Sequence, residues 1–387
     1  MISRRLPDFL HKFSCVFVLV LTITTFNQRP YAHGDTSDQL SDALSAINNV
    51  STGGGGHDQA IGAMKILNRA APDQIPKILN AMSDENKLAV NWLRSAVIKI
   101  TGDGSTLPKQ KIREYFDDKS NAHLGRLLAF ELLTENEKSL ADELIPKLVD
   151  DPSLPLRYMA IANLMKESES ADDIQSIGIL GYALEKSRDV EQVVEIAKSL
   201  NEKGVSVDLQ KQLGFLNSWH LVGNFDNKDE SGFDVKFGPE KDFEKFDLEA
   251  TYPDADKTDS TWSQHSTVEP TGLVDLNKAI GKVKGVIAYA YTTYDSDIER
   301  EVDIRVGCIN AHKIWVNGEL VMSNEIYHNG ISPDKFISKA RLIKGKNEIL
   351  IKVCQNEQTQ SWAQRWQFQV RICDETGKAI RPESNKE

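Results

Sequence analysis

The sequence predicts a multidomain α and β chain: an N-terminal α-solenoid of helix pairs followed by a C-terminal antiparallel β-sandwich. Three observations carry this. From Asp35 to about Val205 apolar residues recur at intervals of three and four, the period of a helix with one buried face. After Lys203-Gly204 they fall instead into short aromatic and β-branched runs separated by turn residues, about ten residues apart. The length of 387 residues also exceeds what one core ordinarily organises.

The chain opens with Arg4, Arg5 and Lys12 ahead of an apolar run from about Phe13 to Phe26, then Ala32-His33-Gly34. That run is short for a bilayer, and small residues stand at the −3 and −1 positions of a cleavage site, so residues 1–34 are expected to be a secretory signal. The mature chain is then exported, secreted or periplasmic, and does not span a membrane. Removing the signal takes away four bases and one acid, which moves the formal charge from −11 to −14. Such an acidic chain repels phosphate backbones and argues against nucleic-acid partners. Cys308, Cys354 and Cys373 remain, with no C-x-x-C pair for a zinc ribbon or redox motif; one disulfide plus a thiol, or three buried thiols, are both open.

Within 35–205, QAIGAMKILNRA at 59–70 and RLLAFELL at 126–133 each gather a broad apolar face, and Pro72, Gly102, Pro108, Pro152 and Pro155 divide the runs. DQIPKILNAMSDENKLAV at 73–90 is echoed by DELIPKLVDDPSLPLRYM at 142–159. A copy without the proline, QKIREYFDDKSNAHLGRLL, lies between them at 110–128. Helix pairs recurring at roughly 35 residues resemble HEAT or armadillo-type repeats, whose units must stack to bury their faces and which present grooves to protein partners. The tetraglycine Gly53 to Gly56 lacks the Lys-Ser/Thr of a phosphate loop and reads as a tether.

Residues 206–217 are expected to be a linker, 218–378 the sandwich and 379–387 a disordered tail. The expected strands are VIAYAYTTY, EVDIRVGCI, KIWVN, ELVMS, KFISKARLI, NEILIKVCQ and WQFQVRICD. Asn317-Gly318 between two of them is a strong hairpin signal, because both turn positions favour positive φ. A two-residue loop pairs Val316 with Glu319, Trp315 with Leu320 and Ile314 with Val321. One face then carries Ile314, Val316 and Val321, the other Trp315, Leu320 and Met322. Both faces are apolar, so Trp315 is expected in a core.

The order IWVNGELV, a loop with Asn329-Gly330, a strand at Phe336, then Leu342 to Val353 with Gly345 at its turn, resembles the galactose-binding-like jelly-roll beside the catalytic domains of many glycoside hydrolases, including the sugar-binding domain of family 2. Trp219-x-x-x-Gly223-x-Phe225, Gly232-Phe233-Asp234 and Gly238-Pro239-Glu240 also resemble a module appended to helical repeats in exported bacterial proteins. The resemblance covers about 216–375 and implies fold more than ligand.

Sugar sites need aromatic faces with amides and carboxylates around them. The candidates lie in segments expected to be loops: Trp262 and His265 in DKTDSTWSQHS, Tyr327 and His328 in NEIYHNG, and Trp362 in QTQSWAQRW. Two acidic stretches, Asp254, Asp256 and Asp259, and Asp226, Asp229 and Asp234, offer oxygen ligands for Ca2+ but lack the spacing of a calcium loop, so no cofactor is expected. G-x-S-x-G, H-E-x-x-H, Walker and Rossmann motifs are absent. The expectation is an exported, non-enzymatic binding or scaffolding protein. Its sandwich takes carbohydrate and its repeats dock a protein; the alternatives are a scaffold that binds no sugar and an accessory part of a glycoside hydrolase.

Overall fold

The computed structural model describes residues 36–381 apart from 84–85, 103–105, 136 and 242–245. The expected signal segment lies outside the described residues. A helical region comes first and antiparallel sheets follow. The helices are α1 (Thr36–Asn48), α2 (His57–Leu67), α3 (Ile75–Asn80), α4 (Lys87–Thr101), α5 (Lys109–Asp117), α6 (His123–Thr134), α7 (Lys138–Leu144), α8 (Leu154–Ser170), α9 (Asp173–Lys186), α10 (Val190–Glu202) and α11 (Leu209–Leu213). Short side chains set where several begin. Asp172, Asp189 and Asp208 accept the backbone N–H of Gln175, Gln192 and Lys211 at the starts of α9, α10 and α11, meeting donors that a helix end leaves free. Asn86 does the same for α4 and also donates to the carbonyls of Asn48 and Val50, which ties α4 to the end of α1.

One core runs from Leu40 in α1 to Ala160 in α8, and a second joins α8, α9 and α10 through Ile161, Leu180, Ala183, Ile196 and Leu200. Of the echoed positions, Ile75 and Ile112 are buried in the first core and Ile145 packs against it. Arg126 crosses this core from α6. It grips Asp151 through two bonds of 2.6 and 2.7 Å and donates its Nε to the Phe116 carbonyl, so the buried pair leaves few polar atoms bare.

The strands are β1 (Ser218–Asp226), β2 (Thr251–Pro253), β3 (Asp259–Thr261), β4 (Ser263–Ser266), β5 (Val274–Asp275), β6 (Val286–Ser296), β7 (Arg300–Cys308), β8 (Ala311–Val316), β9 (Glu319–Asn324), β10 (Phe336–Leu342), β11 (Gly345–Gln355) and β12 (Gln367–Cys373). Two short helices interrupt them, α12 (Gly238–Lys241) and α13 (Leu276–Ala279). A six-stranded sheet runs β4-β1-β6-β11-β8-β9 and a four-stranded sheet runs β10-β7-β12-β5, with a small β2-β3 pair apart. The two larger sheets share a core in which Trp219, Ile351 and Val353 of one meet Ile304, Phe368 and Val370 of the other. The outer face of the six-stranded sheet is covered as well. The chain between β1 and β4 brings Phe233, Tyr252 and the half-buried Trp262 onto Val222, Tyr289, Tyr291 and Leu350.

The seven expected strands form β6 to β12. The turn is as expected: Asn317 and Gly318 have φ of 51° and 83°, and Val316 faces Glu319. One pairing differs. A bulge between Ile314 and Trp315 places Ile314 opposite Met322, so Met322 turns inward to join Ile314 and Val316. Trp315 packs on the outer cluster but stays half-buried, and Leu320 is 48% exposed; the core expected on that side ends before the hairpin tip. All three described cysteines are buried and unpaired.

The expected linker at 206–217 holds α11 and is built into the sheet. Leu216 N donates to the Val370 carbonyl at 2.9 Å, and Phe215 pairs with Arg371. At the other end Ala379 pairs with Cys373 and Ile380 N donates to the Ile372 carbonyl, so the expected tail begins as an added rung. No described helix is long and apolar enough to cross a membrane.

Candidate functional site at the Trp362 corner

Of the five residues singled out in the sequence, Tyr327, His328 and Trp362 come together. Trp362 sits on a short helical turn, Ser361–Ala363, between β11 and β12 and is 58% exposed. Its indole stands edge-on to the His328 imidazole, with centroids 5.3 Å apart and planes at 85°. The Tyr327 ring lies 6.3 Å from the same imidazole. The three aromatics form a short row along one end of the sheets.

Amides fix the row. His328 Nε2 donates to Asn356 Oδ1 at 2.7 Å, and Asn356 Nδ2 donates to Glu230 Oε1 at 2.9 Å. Asn227 Nδ2 donates to the Tyr327 hydroxyl and to the Gln355 carbonyl, each at 3.1 Å. Burial pushes the Tyr327 phenol up, so it stays protonated and can pass a hydrogen bond on. His328 Nδ1 is buried with no donor in the described chain, which leaves one lone pair in the row unspent. Beside the row lies a concavity of about 500 Å³ lined by Asp229, Glu230, Asn356, Glu357, Gln358, Thr359 and Gln360.

The backbone around this concavity is held in an uncommon conformation. Asp229, Glu230 and His328 have φ of 53°, 58° and 54°, left-handed values that side chains other than glycine seldom adopt. Glu357 Oε2 accepts from Asp229 N at 3.0 Å and helps to hold that turn. Such positions cost on the order of 1 kcal/mol or more each and gather where geometry serves a site.

Trp262 and His265 lie elsewhere, and their surroundings correct the expectation that they occupy a loop. Backbone pairing, which polar side chains do not prevent at a sheet edge, puts them between β3 and β4 and within β4, where His265 faces Trp219. Trp262 packs against Phe246, Tyr252 and Tyr291 with ring centroids 5.2, 6.3 and 6.4 Å away, and its indole N–H is buried without an acceptor among the described residues. It is half-buried and closes the outer aromatic cluster. The acidic stretches are likewise used locally. Asp254 accepts from Asp256 N, Thr258 N and the Thr258 hydroxyl, Asp226 accepts from Lys228 N, and Asp234 pairs with Lys313 at 2.6 Å. Among the described residues no three ligand-type side chains gather as a metal site would require.

A larger cleft of about 660 Å³ lies where α11 meets β6, but its aromatics, Phe215 and Tyr294, are buried, and the Tyr294 hydroxyl donates to the Ile380 carbonyl. One group escaped the sequence reading. Lys352, wholly buried in the middle of β11, donates to Glu240 at 2.9 Å and to the carbonyls of Phe233 and Val235, while the Tyr289 hydroxyl donates to the same carboxylate. The signal was a lysine amid the apolar run NEILIKVCQ, whose charge had to meet a partner once the sheet was covered.

No family model and no curated protein matches the chain. Solved structures give shallow overlaps. An anti-sigma factor domain-containing protein is 12% identical, with 44% of this chain and 47% of that one covered and a TM-score of 0.27. The β-glucosidase from Kluyveromyces marxianus in complex with glucose is 9% identical over 76% of this chain and 37% of that one, at 0.27. The GH31 α-xylosidase from Xanthomonas citri is 9% identical over 40% and 16%, at 0.20. The chain spans less than half the length of each.

Proposed function

We propose that this chain is an exported, non-enzymatic binding protein that takes carbohydrate at the Trp362 corner. In this reading the helical half is a HEAT or armadillo-type solenoid that docks a protein partner, and the sheet half is a galactose-binding-like jelly roll. The stacking of successive helices on continuous cores, with Ile75 and Ile112 buried and Ile145 packed against the same core, supports the first. The two facing antiparallel sheets support the second.

The observation that carries the sugar reading is the exposed Trp362 indole held against His328, next to a concavity whose walls are carboxylates and amides. A pyranose lays its C–H face on such a ring while its hydroxyls donate to Glu230 and Glu357 and accept from Gln358 and Gln360. Trp262, turned into its own cluster, has no part in it. A glycan array probed with wild type, Trp362→Ala and Trp262→Ala tests the reading: wild type and the Trp262 variant bind and the Trp362 variant does not. Silence of the wild type across the array ends the sugar reading, and turnover of an aryl glycoside by the wild type replaces the non-enzymatic one.

A further inference from the structure

The helical half contains two arginines, Arg157 and Arg188, that make no direct ion pair among the described residues, although Asp150 and Asp374 lie near enough to attract both. Arg157, in the first turn of α8, is 6% exposed; its Nε donates to the Asp151 carbonyl at 2.8 Å, and its Nη1 is buried with no acceptor among the described residues. Asp150, next in the chain to that carbonyl, pairs with Lys186 at 3.1 Å, which brings the turn after α9 alongside. In that turn Ser187 Oγ and Arg188 Nε are also buried and lack a partner among the described residues, while Arg188 Nη1 donates to the carbonyls of Glu185 and Ser187. Gln192 closes the turn from α10, donating to the Tyr158 carbonyl at 3.0 Å, and its Oε1 is the one buried acceptor there without a donor.

The nearby carboxylates attract the two arginines but direct their own hydrogen bonds elsewhere. Asp151 is held by both arms of Arg126, Asp150 by Lys186, Asp189 caps α10, and Asp374 Oδ1 accepts from Thr376 N, Thr376 Oγ1 and Lys378 N. Burial pulls the pKa of both arginines down and the charge of Arg157 lowers that of Arg188 further, while Asp150 and Asp374 oppose the shift at both. Buried guanidinium N–H groups left without an acceptor are unfavourable unless a ligand meets them.

We infer that the turn between α9 and α10, with Arg157 beside it, binds a small tetrahedral oxyanion of the phosphate or sulfate class. Arg157 Nη1, Arg188 Nε and the Ser187 hydroxyl supply its donors. Guanidinium forks suit such oxygens, and three donors against one acceptor select an anion over a neutral ligand. A lone water satisfies the hydroxyl and Gln192 but does not meet both guanidinium donors as well.

Thermal unfolding of the full chain, followed while inorganic phosphate, sulfate, acetate or chloride is titrated at matched ionic strength, tests this. Phosphate and sulfate raise Tm in a saturable way and chloride does not. Arg188→Gln, on a partly buried residue, weakens the apparent affinity about ten-fold; Ser187→Ala weakens it in the same direction. Equal responses to chloride, or an Arg188→Gln protein that responds like wild type, overturn the inference. Acetate as effective as phosphate overturns the tetrahedral assignment.

Discussion

Trp362 and Trp366 stand in one short stretch, WAQRW, and meet opposite fates. Trp366 is fully buried between the sheets and donates its indole N–H to the Val353 carbonyl, whereas Trp362 faces solvent. Trp366→Ala is therefore expected to cost about 3 kcal/mol or more of stability, and Trp362→Ala less than about 0.5 kcal/mol, as measured by urea unfolding. The sequence alone separated the two only partly: a polar loop pointed to Trp362, but equally to Trp262, which long-range ring packing claimed for the outer cluster. A second residue-scale prediction concerns His312. Its Nδ1 faces the Asn310 carbonyl and its Nε2 the Asn324 amide nitrogen, so the ring is neutral, and burial holds its pKa below the ordinary 6.5. Stability from this site is present above 6.5 and is lost as pH falls through the lowered folded value, because the unfolded chain takes up the proton first. Between about pH 7 and pH 5 the urea midpoint of wild type is expected to fall more steeply than that of His312→Gln.

At the scale of elements, β6 to β12 were legible because their apolar residues recur at short range and their turns carry the right chemistry. β2 to β5 were not, since they are short, polar and edge-placed, and only partner strands explain them. Lys352 and Glu240 show what lies beneath that difference. The chain between β1 and β4 covers the outer sheet face, and the ion pair fastens it through α12. Removing one partner strands a buried charge. Glu240→Leu is thus expected to cost about 3 kcal/mol or more, whereas the double change Glu240→Leu with Lys352→Met recovers most of it, as a double-mutant cycle by chemical denaturation measures. Equal losses in the single and double variants would show that packing, rather than the unpaired charge, sets the cost.

Across the whole molecule, Arg371 joins the helical and sheet parts. From β12 it holds Asp334, donates to the carbonyls of Leu213 and Arg188, and lies over the Phe215 ring at 5.5 Å. The sequence marks 206–217 as a break in composition, yet a mid-strand arginine reaching back 158 positions to Leu213 has no local signature. Arg371→Ala is expected to speed proteolysis within 204–217 and to split one thermal transition into two; a single unshifted transition would mean that the backbone rung at Leu216 suffices alone. The placement of the six tryptophans also gives the molecule an optical asymmetry. Trp219 and Trp366 are sealed in the inter-sheet core, Trp262 and Trp315 are half-covered, and Trp362 alone of these five stands mostly in water. A collisional quencher reaches that indole before the others, and anything that settles on the Trp362 corner dims or blue-shifts the quenchable part of the emission while leaving the rest unchanged.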